Sequence, residues 1–411
     1  MKKIFHGWRM VGAASAIQFM QSGMLNQAFG AYVATLSSER GWSKTSLSGA
    51  AALQSVESAV IGPLLGWVLD RFGPQGVIRL GVLILGIGFM LLSQIESIAG
   101  MYGAMIVMAL GSSMCGYFPL NVAVMHWFRR YRARALSSVS MGLALGGFFV
   151  PVVAWTMQQV GWRVTAFASG VLIIVIGYPL ARVMRRRPED MGETVDGLPP
   201  EAPGSETQVS ESHADSQPAF TPSQALRTQA FWLLSVGHGL ALLVVTAVNV
   251  HAISHIRQSL NYSIAQASLF ITLMTAAQAG GVFLGWVIGD RFEKRYVAAA
   301  CMFLHAAGIL SLTYATGSAM LVAFALLHGV AWGLRGPFMQ AIRADYFGTR
   351  SIGMILGLSA LVISLGQVGG PLVAGAMADL SGDYRSGFTL LGILAALGSV
   401  MFLMAKRPRP A

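Results

Sequence analysis

The fold class this chain predicts is all-α and integral to a membrane: twelve transmembrane helices arranged as two six-helix, pseudo-symmetric bundles. Three observations carry that expectation. Of 411 residues, 55% are hydrophobic and only 11% charged, about half the charge density of a soluble domain. Uncharged runs long enough to cross a bilayer recur along the chain, and features of the first half return in the second at a fixed offset.

A spanning helix needs roughly 20 apolar residues. Met10–Ser38, Leu80–Ile95, Ser97–Phe128, Ala135–Trp162 and Val164–Ala181 contain no Asp, Glu, Lys or Arg, and Thr45–Leu69 contains only Glu57. In the second half Thr228–Ile256, Gln258–Gly289, Tyr296–Leu334, Ser351–Ala378 and Ser386–Ala405 are equally uncharged, and Tyr296–Leu334 holds two helices parted near Gly317-Ser318. The first run is too long for the core of a signal peptide and a second span follows it, so it is expected to stay as helix 1. The 48 glycines suit helices that approach closely in lipid.

The net charge of +11 would suit nucleic acid only if the basic residues were gathered on one face. They lie instead in short clusters between the apolar runs. Placing both termini in the cytoplasm puts every Lys and Arg there except Arg40, Lys44, Arg163, Arg257 and Arg385 outside and Arg335 in the membrane, as the positive-inside rule requires. Localisation in the plasma (inner) membrane follows. The two cysteines, Cys115 and Cys301, are too few for a disulfide framework or a zinc site, and no cofactor or metal is expected.

Arg185–Arg227 holds eight of the 17 acidic residues and six of the 15 prolines. It is expected to be a flexible cytoplasmic linker, residues 185–227, between bundles at 1–184 and 228–411. The two halves repeat. Ser43 pairs with Ser263, Asp70-Arg71-Phe72 with Asp290-Arg291-Phe292, Gly146 with Gly366 and Pro151 with Pro371, all 220 residues apart, while Trp162-Arg163 and Tyr384-Arg385 stand 222 apart. Such a duplication is the layout of transporters that rock around a midplane site.

Gly66-Trp-Val-Leu-Asp70-Arg71-Phe-Gly73, with Arg79 further on, resembles the loop motif between helices 2 and 3 of the major facilitator superfamily. Trp127-Phe-Arg-Arg-Tyr-Arg-Ala-Arg-Ala-Leu136, followed by Gly142, Gly146 and Gly147, is similar to the helix 4–5 signature of its monocarboxylate transporter family. His6-Gly7-Trp8-Arg9 and Gly161-Trp162-Arg163 are also similar to bacterial members of that group. The resemblance implies transport of a small organic anion by alternating access, with helices 1, 4, 7 and 10 lining the cavity. One departure stands out: the family's helix-8 Arg is absent, and Phe270–Gly289 offers only Thr272, Thr275 and Gln278 as polar groups.

Two ionisable acid or base groups are expected deep in the spans, where a charge costs about 2.5–3.5 kcal/mol even on a lenient scale. Arg335, ten residues before Asp345, sits roughly 15 Å into helix 10, and Glu57, thirteen before Asp70, roughly 20 Å into helix 2. Two roles fit Arg335: bidentate binding of a substrate carboxylate, or a lock between helices through carbonyls or Glu57. His328 and Trp332 share its face. Glu57 suits a proton-coupling carboxylate or a neutral hydrogen-bonded acid, and His251 on helix 7 suits either proton coupling and substrate contact or packing.

Helix 4 carries Ser113, Tyr117 and Asn121 at successive i+4 steps, and helix 1 carries Gln18, Ser22 and Asn26 with Gln21 and Gln27 beside them. Tyr117, Asn121, Gln18 and Asn249 are the expected substrate-orienting groups. Asp70, Arg71, Asp290 and Arg291 are expected at a gate, where ion pairs hold one state and part in the other.

An enzyme is not expected, since the sequence offers no nucleophile elbow, zinc-protease helix or phosphate-cradling glycine loop. The expected function is proton-coupled movement of a small organic anion, most naturally a monocarboxylate, by a monomer in the lipid bilayer. Two alternatives stay open: export of amphiphilic compounds, which the 22 methionines and a lone Glu57 fit, and a non-transporting receptor on the same scaffold.

Overall fold

The computed structural model describes residues 5–42, 57, 60–198 and 220–409. Every regular element described is helical. Helix α1 comes in two pieces, His6–Gln21 and Phe29–Arg40, joined by a π-helical turn at Ser22–Asn26. Residues 60–72 form α2. Then follow α3 (Pro74–Ser93), α4 (Ile98–Met125), α5 (Arg132–Val160), α6 (Trp162–Val183), α7 (Gln229–Leu260), α8 (Ile264–Ile288), α9 (Lys294–Thr313), α10 (Ser318–Phe347), α11 (Ile352–Ser381) and α12 (Arg385–Met404). These last ten are each long and apolar enough to span a membrane, and the chain is an integral multi-pass membrane protein.

The starts of these helices are written in single residues. Ser97 caps α4 by accepting from the Gly100 amide at 3.1 Å, and Thr228 caps α7 by accepting from Phe231 at 3.2 Å. Ser263 makes a full capping box on α8: its hydroxyl accepts from the Gln266 amide and its own N–H donates to Gln266 Oε1. Such reciprocal bonds satisfy amides that the first turn leaves without acceptors. Ser43, the repeat counterpart of Ser263, lies outside the described residues. Gly161 (φ +81°) and Gly382 (φ +81°) turn the chain at equivalent points before α6 and α12, in a backbone region that side chains disfavour.

The chain divides into two compact units near residue 216, with Ile352–Met354 grouping with the first. In the first unit α1 packs on α5, and α3 packs on α4 and α6. In the second, α10 packs on α8 and α9, and α12 on α7 and α9. Glycines make the closest contacts in both. A methyl group at Gly142 would overlap the Ser15 carbonyl of α1, while one at Gly366 or Gly370 would overlap the Gly239 or Leu243 carbonyl of α7. Helix backbones thus touch directly, where dispersion forces and weak polar contacts replace the hydrophobic drive that lipid removes.

The stretch expected to be a flexible linker is built at both ends. Trp127 Nε1 donates to the Arg185 carbonyl at 3.2 Å, Arg186 Nη2 donates to the Asp70 carbonyl at 3.2 Å, and Glu193 accepts from the His6 amide at 2.9 Å. Asp196, held at φ +62°, accepts from the backbone amides of Arg129, Arg130 and Tyr131 at 2.8–3.3 Å. Its carboxylate meets the amides exposed by the turn between α4 and α5, a pairing that composition does not reveal. At the far end Phe220 is buried edge-on against Phe347, and Thr221 caps the short helix Pro222–Leu226. Residues 199–219 lie outside the described residues.

Adjacent glycines on α11 allow a sharp test of the backbone contacts. Gly370→Ala should lower the unfolding temperature by an amount equivalent to the roughly 1–3 kcal/mol of an overpacked core. Gly369→Ala, where a methyl meets nothing within 4 Å, should be neutral or slightly stabilising in a thermal melt of the purified protein.

Candidate functional site

Within the first unit the polar groups gather where two helices break. Helix α4 stops at Cys115 and resumes at Tyr117, with Gly116 extended between them. Pro119 has no amide hydrogen, and its ring crowds the carbonyl one turn back, so an unbroken helix through Cys115 is disfavoured. A side chain at Gly116 would strike the Ser112 carbonyl and the Gln21 amide. Gln21 Nε2, from the turn before the π-helical segment of α1, donates to the Ser112 carbonyl at 3.0 Å and to the Ser112 hydroxyl. One glutamine thus joins the two interrupted helices.

The expected stripe on α4 has three different fates. Ser113 Oγ donates to Glu57 Oε2 at 3.0 Å, bringing the candidate proton carrier onto α4. Tyr117, half-buried, receives the Ser140 hydroxyl from α5 at 3.5 Å. Asn121 is fully buried, and neither its Nδ2 nor its Oδ1 meets a hydrogen-bond partner among the described residues. Gln18 is 1% exposed, with its Oε1 in the same position. Buried amides of this kind call for a ligand or an ordered water.

Within the second unit Arg335 is 1% exposed, near the middle of α10. Gly329 and Gly333 precede it, and a methyl at either would overlap the Met274 or Gln278 carbonyl of α8, so α10 lies backbone to backbone on α8 just before the arginine. A second buried arginine follows: Arg343, two turns further along α10, is also 1% exposed. Its Nη1 donates to the Met339 carbonyl at 2.8 Å and its Nη2 to the Leu234 carbonyl at 3.1 Å, with His238 Nδ1 at 3.4 Å. Two residues from Asp345, the guanidinium is thus held by α7 and by its own helix.

The helix-7 candidates separate. Asn249 is exposed. His251 donates through Nε2 to the Pro371 carbonyl at 3.0 Å and lies 5.1 Å from the Tyr384 ring. His255 donates to the Leu312 carbonyl at 3.0 Å. The helix-8 groups that stand where the resembled family has its arginine are turned to their own backbone in two cases: Thr272 donates to Ser268 O and Thr275 to Ile271 O.

His305 on α9, which no motif singles out, is fully buried against His328 on α10: Nδ1 to Nδ1 is 3.2 Å and the ring centroids are 4.5 Å apart. The signal available in sequence was a histidine in the middle of an apolar span, one turn from Cys301.

The expected gate residues take partners other than one another. Asp70 accepts from the Gly353 and Met354 amides at 2.9 and 2.8 Å, the first-turn amides of α11 that group with the first unit and favour a carboxylate. Arg71 is exposed and lies over the Trp67 and Phe72 rings at 5.7 and 5.8 Å. Asp290 pairs with Lys294 at 3.0 Å, and Lys294 also reaches Asp345 at 2.8 Å; Arg291 is exposed. At the opposite end of the first unit, Trp162 donates to Glu39 at 2.8 Å and Arg163 to the Ser93 and Ile95 carbonyls and to Glu96. The Arg163 and Arg40 guanidiniums hold the Glu96 carboxyl below the usual carboxylate range.

A multi-pass protein of two helical bundles on one repeated plan, each with polar groups held in its middle, has the layout of a secondary transporter. The profile of the Major Facilitator Superfamily matches residues 12–249 and 234–411, and the chain belongs to that superfamily of transporters. Among curated relatives, the MFS transporter asaE of Aspergillus flavus is 25% identical over 379 residues, covering 89% of this chain and 78% of that protein. Monocarboxylate transporter 12 of Rattus norvegicus is 25% identical over 367 residues, covering 84% and 74%. Among solved structures, the human organic anion transporter MFSD10 superposes with a TM-score of 0.72 at 14% identity, covering 96% of this chain and 99% of that one. FucP in its outward conformation gives 0.72 at 15% identity, covering 98% of both.

The Asp290–Lys294–Asp345 cluster carries a prediction. Lys294→Met leaves two carboxylates facing each other at a half-buried helix end and should destabilise the protein by about 1–3 kcal/mol, between exposed and fully buried pairs. Asp290→Asn in that background should recover part of the loss in a thermal melt.

Proposed function

We propose that this chain is a proton-coupled secondary transporter of a small organic anion, with a monocarboxylate as the substrate class. Arg335 binds the carboxylate, and Tyr117, Asn121, Gln18 and Asn249 orient the remainder. Alternating exposure of the two bundles carries the anion across the plasma (inner) membrane, with both termini in the cytoplasm and one chain as the working unit. Glu57 and His251 are the coupling candidates read from the sequence.

The observation that carries this reading is a guanidinium, always charged, 1% exposed in the middle of a span. A membrane protein keeps such a group where it meets a substrate or a partner, and a carboxylate matches its fork through two parallel hydrogen bonds. Relatives described as monocarboxylate transporters and a structural neighbour described as an organic anion transporter point the same way. The orphaned amide of Asn121 supplies both a donor and an acceptor for the neutral part of such a molecule.

Ligand-induced stabilisation tests the reading. A ligand at a hundred times its dissociation constant adds about 2.7 kcal/mol, so monocarboxylates, dicarboxylates, neutral sugars and cationic amphiphiles can be ranked by thermal shift. Monocarboxylates should stabilise the parent and leave a folded Arg335→Gln variant unshifted. Stabilisation by cationic amphiphiles alone, or equal carboxylate shifts in parent and variant, would overturn the anion site and favour export of amphiphiles.

A further inference from the structure

We propose that His305 and His328 form a paired-imidazole proton site in the second bundle, and that its proton is the one carried with the anion held at Arg335. The proposal rests on the anion reading above and deepens it by assigning the coupling group, which in this account is neither Glu57 nor His251.

The geometry of the pair leads to this assignment. Both rings are fully buried, and their Nδ1 atoms are 3.2 Å apart. A nitrogen-to-nitrogen contact of that length needs one ring to donate and the other to accept. With both rings neutral, the donor ring has a bare Nε2 and the acceptor ring an Nε2–H. Neither Nε2 has a hydrogen-bond partner among the described residues. The site therefore has one basic nitrogen open to one proton. When that proton arrives, the donor ring becomes an imidazolium whose Nδ1–H already points at the neighbouring lone pair. The charge-assisted bond forms with no movement of either side chain, and the same proton leaves from the same nitrogen when the site empties.

Backbone packing supports the pair. A methyl at Gly308, one turn from His305, would come 3.1 Å from the backbone nitrogen and Cβ of His328, so α9 and α10 approach closely where the rings meet. His255, by contrast, gives its Nε2 to the Leu312 carbonyl.

The surrounding charges connect the proton to the anion. Cys301 lies one turn from His305 on α9, and its thiol is buried and free. Arg335 follows His328 by two turns of α10, about 10 Å along the axis, and Arg343 follows two turns later. Helix α7 contributes His238 beside Arg343 and His255 at the Leu312 end. Helix α8 contributes no ionisable residue over Ile264–Ile288, and α12 contributes only Arg385 at its start. Around the pair the fixed charges are therefore cationic. A proton added alone brings a further positive charge into that interior, whereas a proton added with a carboxylate at Arg335 leaves the total unchanged. Each ligand thus favours the other by the same factor.

Proton uptake on binding is the test, with pyruvate, lactate and benzoate as separate probes added to the purified full-length protein in weak buffer. The parent should take up close to one proton per carboxylate bound, and the dissociation constant should weaken about tenfold per pH unit where the pair is empty of its extra proton. His305→Asn and His328→Asn should still bind the carboxylate but take up no proton, with an affinity flat in pH, while Glu57→Gln keeps the uptake. Unchanged uptake in both histidine variants, or its loss in Glu57→Gln alone, overturns the pair while leaving the anion site standing. If none of the carboxylates binds the parent, the anion reading fails first and the pair falls with it. Should the histidine variants not fold, nitrogen NMR of the histidine-labelled parent decides: saturating carboxylate must convert a neutral imidazole to an imidazolium bonded to a second imidazole, and eight histidines with unchanged signals refute the site.

Discussion

Inside a bilayer a polar side chain has no water to fall back on, so each one buried in these bundles must find its partner on a neighbouring helix or in a ligand. That constraint organises both units. Gln21 bridges α1 to the break in α4, Ser113 meets Glu57, and Arg343 is wrapped by carbonyls of α7 and α10. Where partners are lacking among the described residues, as at Asn121 and at the outer nitrogens of the histidine pair, the same constraint points to a guest. The polar groups that hold the helices together and those left for function are drawn from one short inventory, separated by which neighbour the fold supplies.

Glycine makes those pairings reachable. Donors and acceptors on adjacent helices meet only if the helix axes come close, and side chains along the seam would hold them apart. Gly142 and Gly146 set α5 onto α1, and Gly366 and Gly370 set α11 onto α7. Gly329 and Gly333 do the same between α10 and α8. The seam on α10 ends two residues before Arg335, so the close backbone contact fixes the helix from which the guanidinium projects. Gly308 plays the corresponding part between α9 and α10.

The charged ends of the helices follow a different logic. There, ions pair at sites that run from the exposed Glu96 to the mostly buried Lys294–Asp290 pair. Asp290, Lys294 and Asp345 form a compact triad, Glu96 holds two arginines, and Asp70 sits on the opening amides of α11. Carboxylates on helix-start amides gain from the helix dipole, and at Asp70 the two amide bonds offset part of the burial that pushes its carboxyl up to about 6. Asp196 uses the same chemistry on the turn after α4, tying residues 185–198 to the first unit.

The apolar runs, the 220-residue repeat and the motif around Asp70 were enough to read two bundles of membrane helices and the superfamily directly from the sequence, because hydropathy and periodicity are properties of one segment at a time. Arg335 was legible for the same reason: a charge in the middle of an apolar helix is conspicuous by position alone. The pairing of His305 with His328, the burial of Arg343 and the docking of Asp196 were not legible. Each depends on which face of one helix meets which face of another, and residues up to 109 positions apart are brought together only by packing. The sequence thus determined which groups are costly to bury, and the tertiary structure decided which of them are satisfied, since a hydrogen bond needs its partner within about 3 Å and only the folded bundle sets that distance.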